Sequence, residues 1–159
     1  MDRLKATLST ISAGCFTRTL KRRERRWRST CDSHKVIAGW KVHDDLQGLT
    51  LDSARGFLFV ACGDHVVSLD VAHGGRLIDS LVTGPGLDNI DFSSDQKLLY
   101  AAASVTATLS IIEVSDDGKF HLKALVPTVK GARGVVAGKG ETAYLIGPAE
   151  GRILKMTHK

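Results

Sequence analysis

Three short polar sites open apolar strands in this 159-residue chain: Gln47, the neighbours Asp88 and Asn89, and Arg133. The adjacent side-chain oxygens of Asp88 and Asn89 are hard donors of the kind that ligate Ca²⁺. The guanidinium of Arg133 can grip a carboxylate or a phosphate through two parallel bonds. Asp88 and Asn89 also have a plainer use, because they follow Gly84-Pro85-Gly86, where Asp and Asn side chains commonly bond turn backbone. That use is the commoner one. Arg133 sits among Gly131, Ala132 and Gly134 with no comparable structural task, which makes it the better candidate for holding a ligand.

Other motifs carry less. The run from Gly134 to Gly140 has the look of a phosphate loop, but it is one residue short between its glycines and no Ser or Thr follows Lys139. A turn between two strands is expected there. His43 beside Asp44 and Asp45 could serve as a general base or a metal ligand only if another element supplied a partner. His65 and His73 stand next to Asp or Gly in turn sequence, as surface histidines do. The three cysteines, Cys15, Cys31 and Cys62, form no Cys-x-x-Cys pair, so neither a disulfide scaffold nor a structural zinc site is expected. No Gly-x-Ser-x-Gly or His-Glu-x-x-His signature is present. The expectation is therefore a protein without metal or cofactor, binding rather than catalytic.

The elements that must position these residues repeat three times. Leu49-Thr50-Leu51-Asp52 through Phe59, Ile90-Asp91-Phe92-Ser93 through Tyr100, and Gly134-Val135-Val136-Ala137 through Tyr144 share one pattern, and the aligned aromatics Phe59, Tyr100 and Tyr144 are 41 and 44 residues apart. Repeats of about 40–45 residues made only of short strands mark the four-stranded antiparallel blades of a β-propeller. Period-2 apolar patterns place strands at residues 49–52, 57–62, 66–71 and 76–81, then at 89–92, 98–102, 108–113 and 121–125, then at 134–136, 142–146 and 152–156. The turns between them hold Gly, Asp and Ser, which suit positive φ or self-capping. Blades are thus expected at about 48–82, 87–127 and 132–157, the last with three strands. An earlier strand at 35–42, with Val36, Ala38, Trp40 and Val42 at period 2, fits the outer strand of a blade. Closed rings need about four to eight blades. The fold class expected is all-β, an incomplete ring of propeller blades over residues 35–159.

Residues 1–34 differ from the rest. The first 30 hold nine Lys/Arg against two acids, leaving 13 against 15 for the remainder, so a basic leader precedes a slightly acidic domain. It is expected to be mobile or weakly helical, with the run Lys21-Arg22-Arg23-Glu24-Arg25-Arg26-Trp27-Arg28 solvated. Residues 5–15 have the order of a lipoprotein signal but a short, hydroxyl-rich apolar stretch, a poor signal sequence. The compartment, cytoplasmic or exported, stays open. No apolar run approaches the roughly 18 residues of a transmembrane helix.

The second repeat adds a resemblance. Phe92-Ser93-Ser94-Asp95-Gln96-Lys97-Leu98-Leu99-Tyr100-Ala101, then Thr108 to Val114 and Ser115-Asp116-Asp117-Gly118-Lys119, is similar to blades of the YVTN-repeat and lactonase-like β-propeller families. Val67-Ser68-Leu69-Asp70 with Gly74-Gly75 also resembles their pattern, and the likeness covers about residues 35–157. It implies a propeller fold. The catalytic acid, Arg and His residues of the lactonases have no residue-by-residue counterpart here.

Two functions from different classes follow. The favoured one is a non-catalytic module that binds a small molecule or a protein through its concave, channel-lining face, with Arg133, Asp88, Asn89 and Gln47 as ligand contacts. The alternative is a fragment or subunit of a lactonase-like hydrolase in which Asp88 and Arg133 assist ring opening. Nucleic acid is expected to bind only through the basic leader, if at all. Self-association to complete a ring is a further expectation, because end blades leave apolar faces uncovered.

Overall fold

The computed structural model describes residues 26–29 and 35–157. Their regular structure is entirely strand. A hairpin of β1 (Arg26–Ser29) and β2 (Val36–Trp40) precedes three blades. The first is β3 (Leu46–Asp52), β4 (Phe57–Cys62), β5 (His65–Asp70) and β6 (Arg76–Val82); the second is β7 (Leu87–Ser93), β8 (Leu98–Ala103), β9 (Thr108–Val114) and β10 (Phe120–Pro127). The third has β11 (Val135–Ala137), β12 (Thr142–Gly147) and β13 (Arg152–Thr157). Within each blade the strands pair antiparallel in chain order, and the sheets do not close into a ring. The chain is an arc of propeller blades.

The strand that opens each blade is innermost. β3 lies against β7, and β7 against β11. Close approach there requires a missing side chain: a Cβ on Gly48 would stand 2.5 Å from the Asp88 carbonyl oxygen, so only glycine fits. Further out, side chains interleave between blades. Phe57, Phe59, Ala61 and Val66 of the first blade meet Leu99, Ala101, Ile112 and Phe120 of the second. On the second blade's other side, Leu98, Tyr100, Leu109 and Ile111 meet Val135, Ala143 and Leu145. This explains why β4 and β8 are buried at every position while β12 alternates. β8 lies between two blades, and β4 lies between the second blade and the packed Trp40 and Val42, so each must be apolar on both faces; β12, in the last blade, is covered on one.

Polar contacts fix the angle between blades. Arg55, in the turn after β3, bonds the Asp52 carboxylate and reaches across to donate Nη1–H to the Ser115 carbonyl at 2.8 Å. Its guanidinium also lies over the Phe57 and Phe92 rings, 5.4 and 5.8 Å from their centroids. Asp79 on β6 accepts from the Phe120 amide at 2.8 Å. Asp91 on β7 accepts from the Ala137 amide at 2.8 Å and from Thr50 Oγ1 at 3.4 Å, touching both neighbouring blades.

Two expectations need correction or refinement at the amino end. Part of the basic run is a strand: Arg26–Ser29 pairs antiparallel with Val36–Trp40, Arg26 opposite Trp40. Ladder bonds come from the backbone, and charged side chains suit an edge strand, so a charge run does not exclude pairing. The rest of that run, the signal-like stretch, Cys15 and Cys31 lie outside the described residues. The strand expected at 35–42 forms over Val36–Trp40, and among the described residues its ladder partner is β1. Trp40 and Val42 pack on the free side of the first blade, against the cluster of Leu58, Val60, Val67 and Leu69. Gly75 makes room for the indole: a Cβ there, at φ +76°, would fall within the Trp40 ring.

Candidate functional site

The blade repeat brings the sequence candidates to one end of the inner strands. Register makes Thr50, Asp91 and Val136 equivalent, each opposite the repeat aromatic. Three residues upstream of these stand Gln47, Asp88 and Arg133. In β3 and β7 the pairing skips Gln47-Gly48 and Asp88-Asn89. Such bulges turn side chains out of the ladder toward the strand end.

Asp88, Asn89 and Arg133 meet in a shallow concavity between the second and third blades. The Asn89 amide donates to the Arg133 carbonyl at 3.1 Å, which pins the two strand starts together. Arg133 Nε stands 3.6 Å from Asp88 Oδ2, and both side chains are more than half exposed, 66% and 52%. At that exposure the pair is loose and solvent-screened, so the guanidinium remains available to an incoming anion. Gly131, Gly134, Ile146 and Pro148 complete the walls of a cavity of about 260 Å³. Gln47 does not line it; its amide donates to Asp45 Oδ1 at 2.7 Å.

Gly131, Ile146 and Pro148 were not among the residues singled out from sequence. The signal was present in the repeat: the end of β12 and its turn lie at the same end of the blade as the start of β11. Val135 opposite Leu145 in the ladder places Ile146 beside Gly134.

The other candidates resolve as follows. The glycine-rich run at 134–140 is β11 and a turn in which Gly138 bonds Thr142. His43 finds a partner from another element, since its ring meets His65 edge-on at 4.4 Å. His65 in turn contacts Asp64 at 2.8 Å, and that hydrogen bond holds the Asp64 carboxyl below the usual carboxylate range. Among the described residues no group of three or more His, Cys, Asp or Glu is arranged to hold a metal ion. Two further lowered acids lie at the opposite end of the blades. Lys119 and then Ser115 pull Asp117 to about 2, and Lys97 lowers Asp116. Burial raises the Tyr100 phenol.

No family model matches this chain, and no curated protein matches it. Solved structures do match. A functionally unknown protein from Desulfotomaculum acetoxidans aligns with a TM-score of 0.69 at 16% identity, over 89% of this chain and 51% of that one. A provisionally assigned 6-phosphogluconolactonase from Bacteroides uniformis aligns with a TM-score of 0.71 at 18% identity, over 85% and 44%. A chain of the mitotic checkpoint complex aligns with a TM-score of 0.69 at 11% identity, over 85% and 43%. This chain spans about half the length of these structures. At such identities the likeness establishes a propeller fold of the lactonase-like kind and no more. Among the described residues no helix is long and apolar enough to cross a membrane.

Proposed function

We propose that this chain is a β-propeller binding module that takes a small anionic ligand at the inner-strand ends of its second and third blades. Arg133 supplies the positive charge. Asp88 and Asn89 accept or donate to the ligand's hydroxyls, and Ile146 and Pro148 give an apolar wall. The observation that carries this reading is the meeting of Arg133, Asp88 and Asn89 around one concavity, from repeats 45 residues apart in sequence at Asp88 and Arg133. The ligand class that fits is a hydroxylated carboxylate or phosphate, which would use the guanidinium, the carboxylate and the amide together. In this reading the ligand is bound without turnover, and the loosely held Asp88–Arg133 pair among the described lining residues serves to hold it. The lactonase-like neighbours supply the alternative, lactone hydrolysis at the same place.

Calorimetric titration with 6-phosphogluconate tests both. Arg133→Ala should weaken binding by about 1.5 kcal/mol, the low end for a hydrogen bond to a charged group because the site is open to solvent. Equal affinity of the variant would remove Arg133 from the site. Hydrolysis of 6-phosphogluconolactone above the buffer rate, lost in Arg133→Ala, would favour the enzymatic alternative.

A further inference from the structure

The third blade shows an apolar face that no other described blade covers. Val136, Tyr144, Ile146 and Ile153, on three adjacent strands, are 57%, 40%, 56% and 74% exposed. The register sets Ile146 opposite Ile153 and Tyr144 opposite Val136, so these residues share one face. Equivalent faces of the first two blades are covered by the blade that follows. A patch of this kind on a sheet marks a contact surface.

We propose that a second copy of this chain covers that face with its first blade, sets its β2 beside β13 as the fourth strand, and brings its Gln47 to the Arg133 concavity. The last part rests on the ligand reading of that concavity. Four observations point to a copy of this chain. Two copies amount to about one full chain of the matched propellers, each copy aligning over 44–51% of such a chain. The contact repeats one that the chain already makes twice, inner strand on inner strand and apolar face on apolar face. On the receiving side Leu58, Val60, Val67 and Leu69 are already buried under Trp40 and Val42, which belong to the β2 segment that would join β13, while Leu49 and Leu51 of β3 beside them stay half-buried. Finally, β2 precedes β3 as β6 precedes β7 and β10 precedes β11, which is the outer-strand position. It carries β1 on one edge, and β13 carries β12 on one edge, so each has an edge to offer among the described residues. The second copy's strand would run antiparallel to β13, as β6 does to β5.

Gln47, Asp88 and Arg133 hold equivalent positions at successive strand starts, so the next position after Arg133 belongs to Gln47 of the second copy. Ile146 lies both in the concavity and on the open face. The docked blade therefore walls the ligand site. A two-fold axis uses the same contact twice and closes the ring, giving two identical sites.

Sedimentation velocity on the full chain should show a species of about twice 17.1 kDa, and Ile146→Lys combined with Ile153→Lys should convert it to monomer with unchanged far-UV circular dichroism. Within one chain Gln47 and Arg133 are separated by β7, so a Gln47→Cys, Arg133→Cys double variant should form an oxidised covalent dimer that neither single variant forms. A monomer at about 100 μM, a dimer that survives both lysines, or a dimer without the bridge specific to the double variant overturns the proposal. A dimer of the unsubstituted chain that ignores 6-phosphogluconate, together with the bridge in the double variant, supports the assembly and overturns the ligand reading alone.

Discussion

At the scale of single residues, sequence position within the repeat was informative because each blade reuses one register. Gln47, Asp88 and Arg133 align within the sequence repeat, and the structure sets Arg133 Nε 3.6 Å from Asp88 Oδ2. The distance itself could not be read from sequence, since it depends on how far one blade rotates on the next. Ile146 was legible as an apolar strand residue but not as a cavity wall. His43 needed a partner that no local pattern revealed; His65 supplies it across a gap that only the fold closes.

The hairpin turn at 115–119 gives a prediction at this scale. Ser115 Oγ donates to Asp117 at 2.6 Å, and Lys119 Nζ lies 2.7 Å from the same carboxylate. Their bonds depress the Asp117 pKa to about 2 and raise that of Lys119. A carboxylate with a folded pKa below its unfolded value stabilises the fold above the unfolded value near 3.9 and loses that contribution as pH falls toward 2. Asp117→Asn should therefore lower the unfolding midpoint at pH 6 and differ little from the parent at pH 2, as thermal melts at the two pH values would record. An equal difference at both pH values would mean that charge is not what the side chain contributes.

At the scale of elements, the strands were legible because alternation and Gly/Asp turns leave few competing structures. The strand ends differ from expectation mostly by extension, as at β7, which begins at Leu87 rather than residue 89. The exception is β1, in which Arg26, Trp27 and Arg28 carry no apolar period. Its partner is β2, and pairing with a neighbour outweighs propensity in such short segments. The burial pattern separates middle strands from end strands and predicts how each one opens. Amides of β4 and β8, closed in on both faces, should exchange with deuterium only through global unfolding, whereas those of β12 and β13 should exchange through local opening. Hydrogen-exchange mass spectrometry distinguishes the two. Equal protection of β8 and β13 in a monomer would contradict the arc.

At the scale of the whole molecule, the fold is an arc whose blades hold each other by repetition, so stability is a chain of nearest-neighbour contacts. The contact between the first two blades is the best buried, and Phe59, wholly enclosed there, is its centre; truncating a buried ring of this kind costs about 3–5 kcal/mol. Phe59→Ala should accordingly unfold the first two blades together, seen as a single lowered transition in calorimetry. Retention of the parent midpoint would show that the blades do not depend on this contact. The incomplete ring was legible from the count of repeats, while the lodging of Trp40 on the first blade was not, because it depends on the gap that Gly75 leaves.

The proposed binding of an anion where the inner strands of the second and third blades begin can be followed through backbone amide chemical shifts during titration with 6-phosphogluconate. Progressive shifts are expected at Asp88, Asn89, Gly131, Arg133 and Gly134. Shifts confined to the opposite end, around Arg55 and Asp116, or no shifts at millimolar ligand, would contradict it.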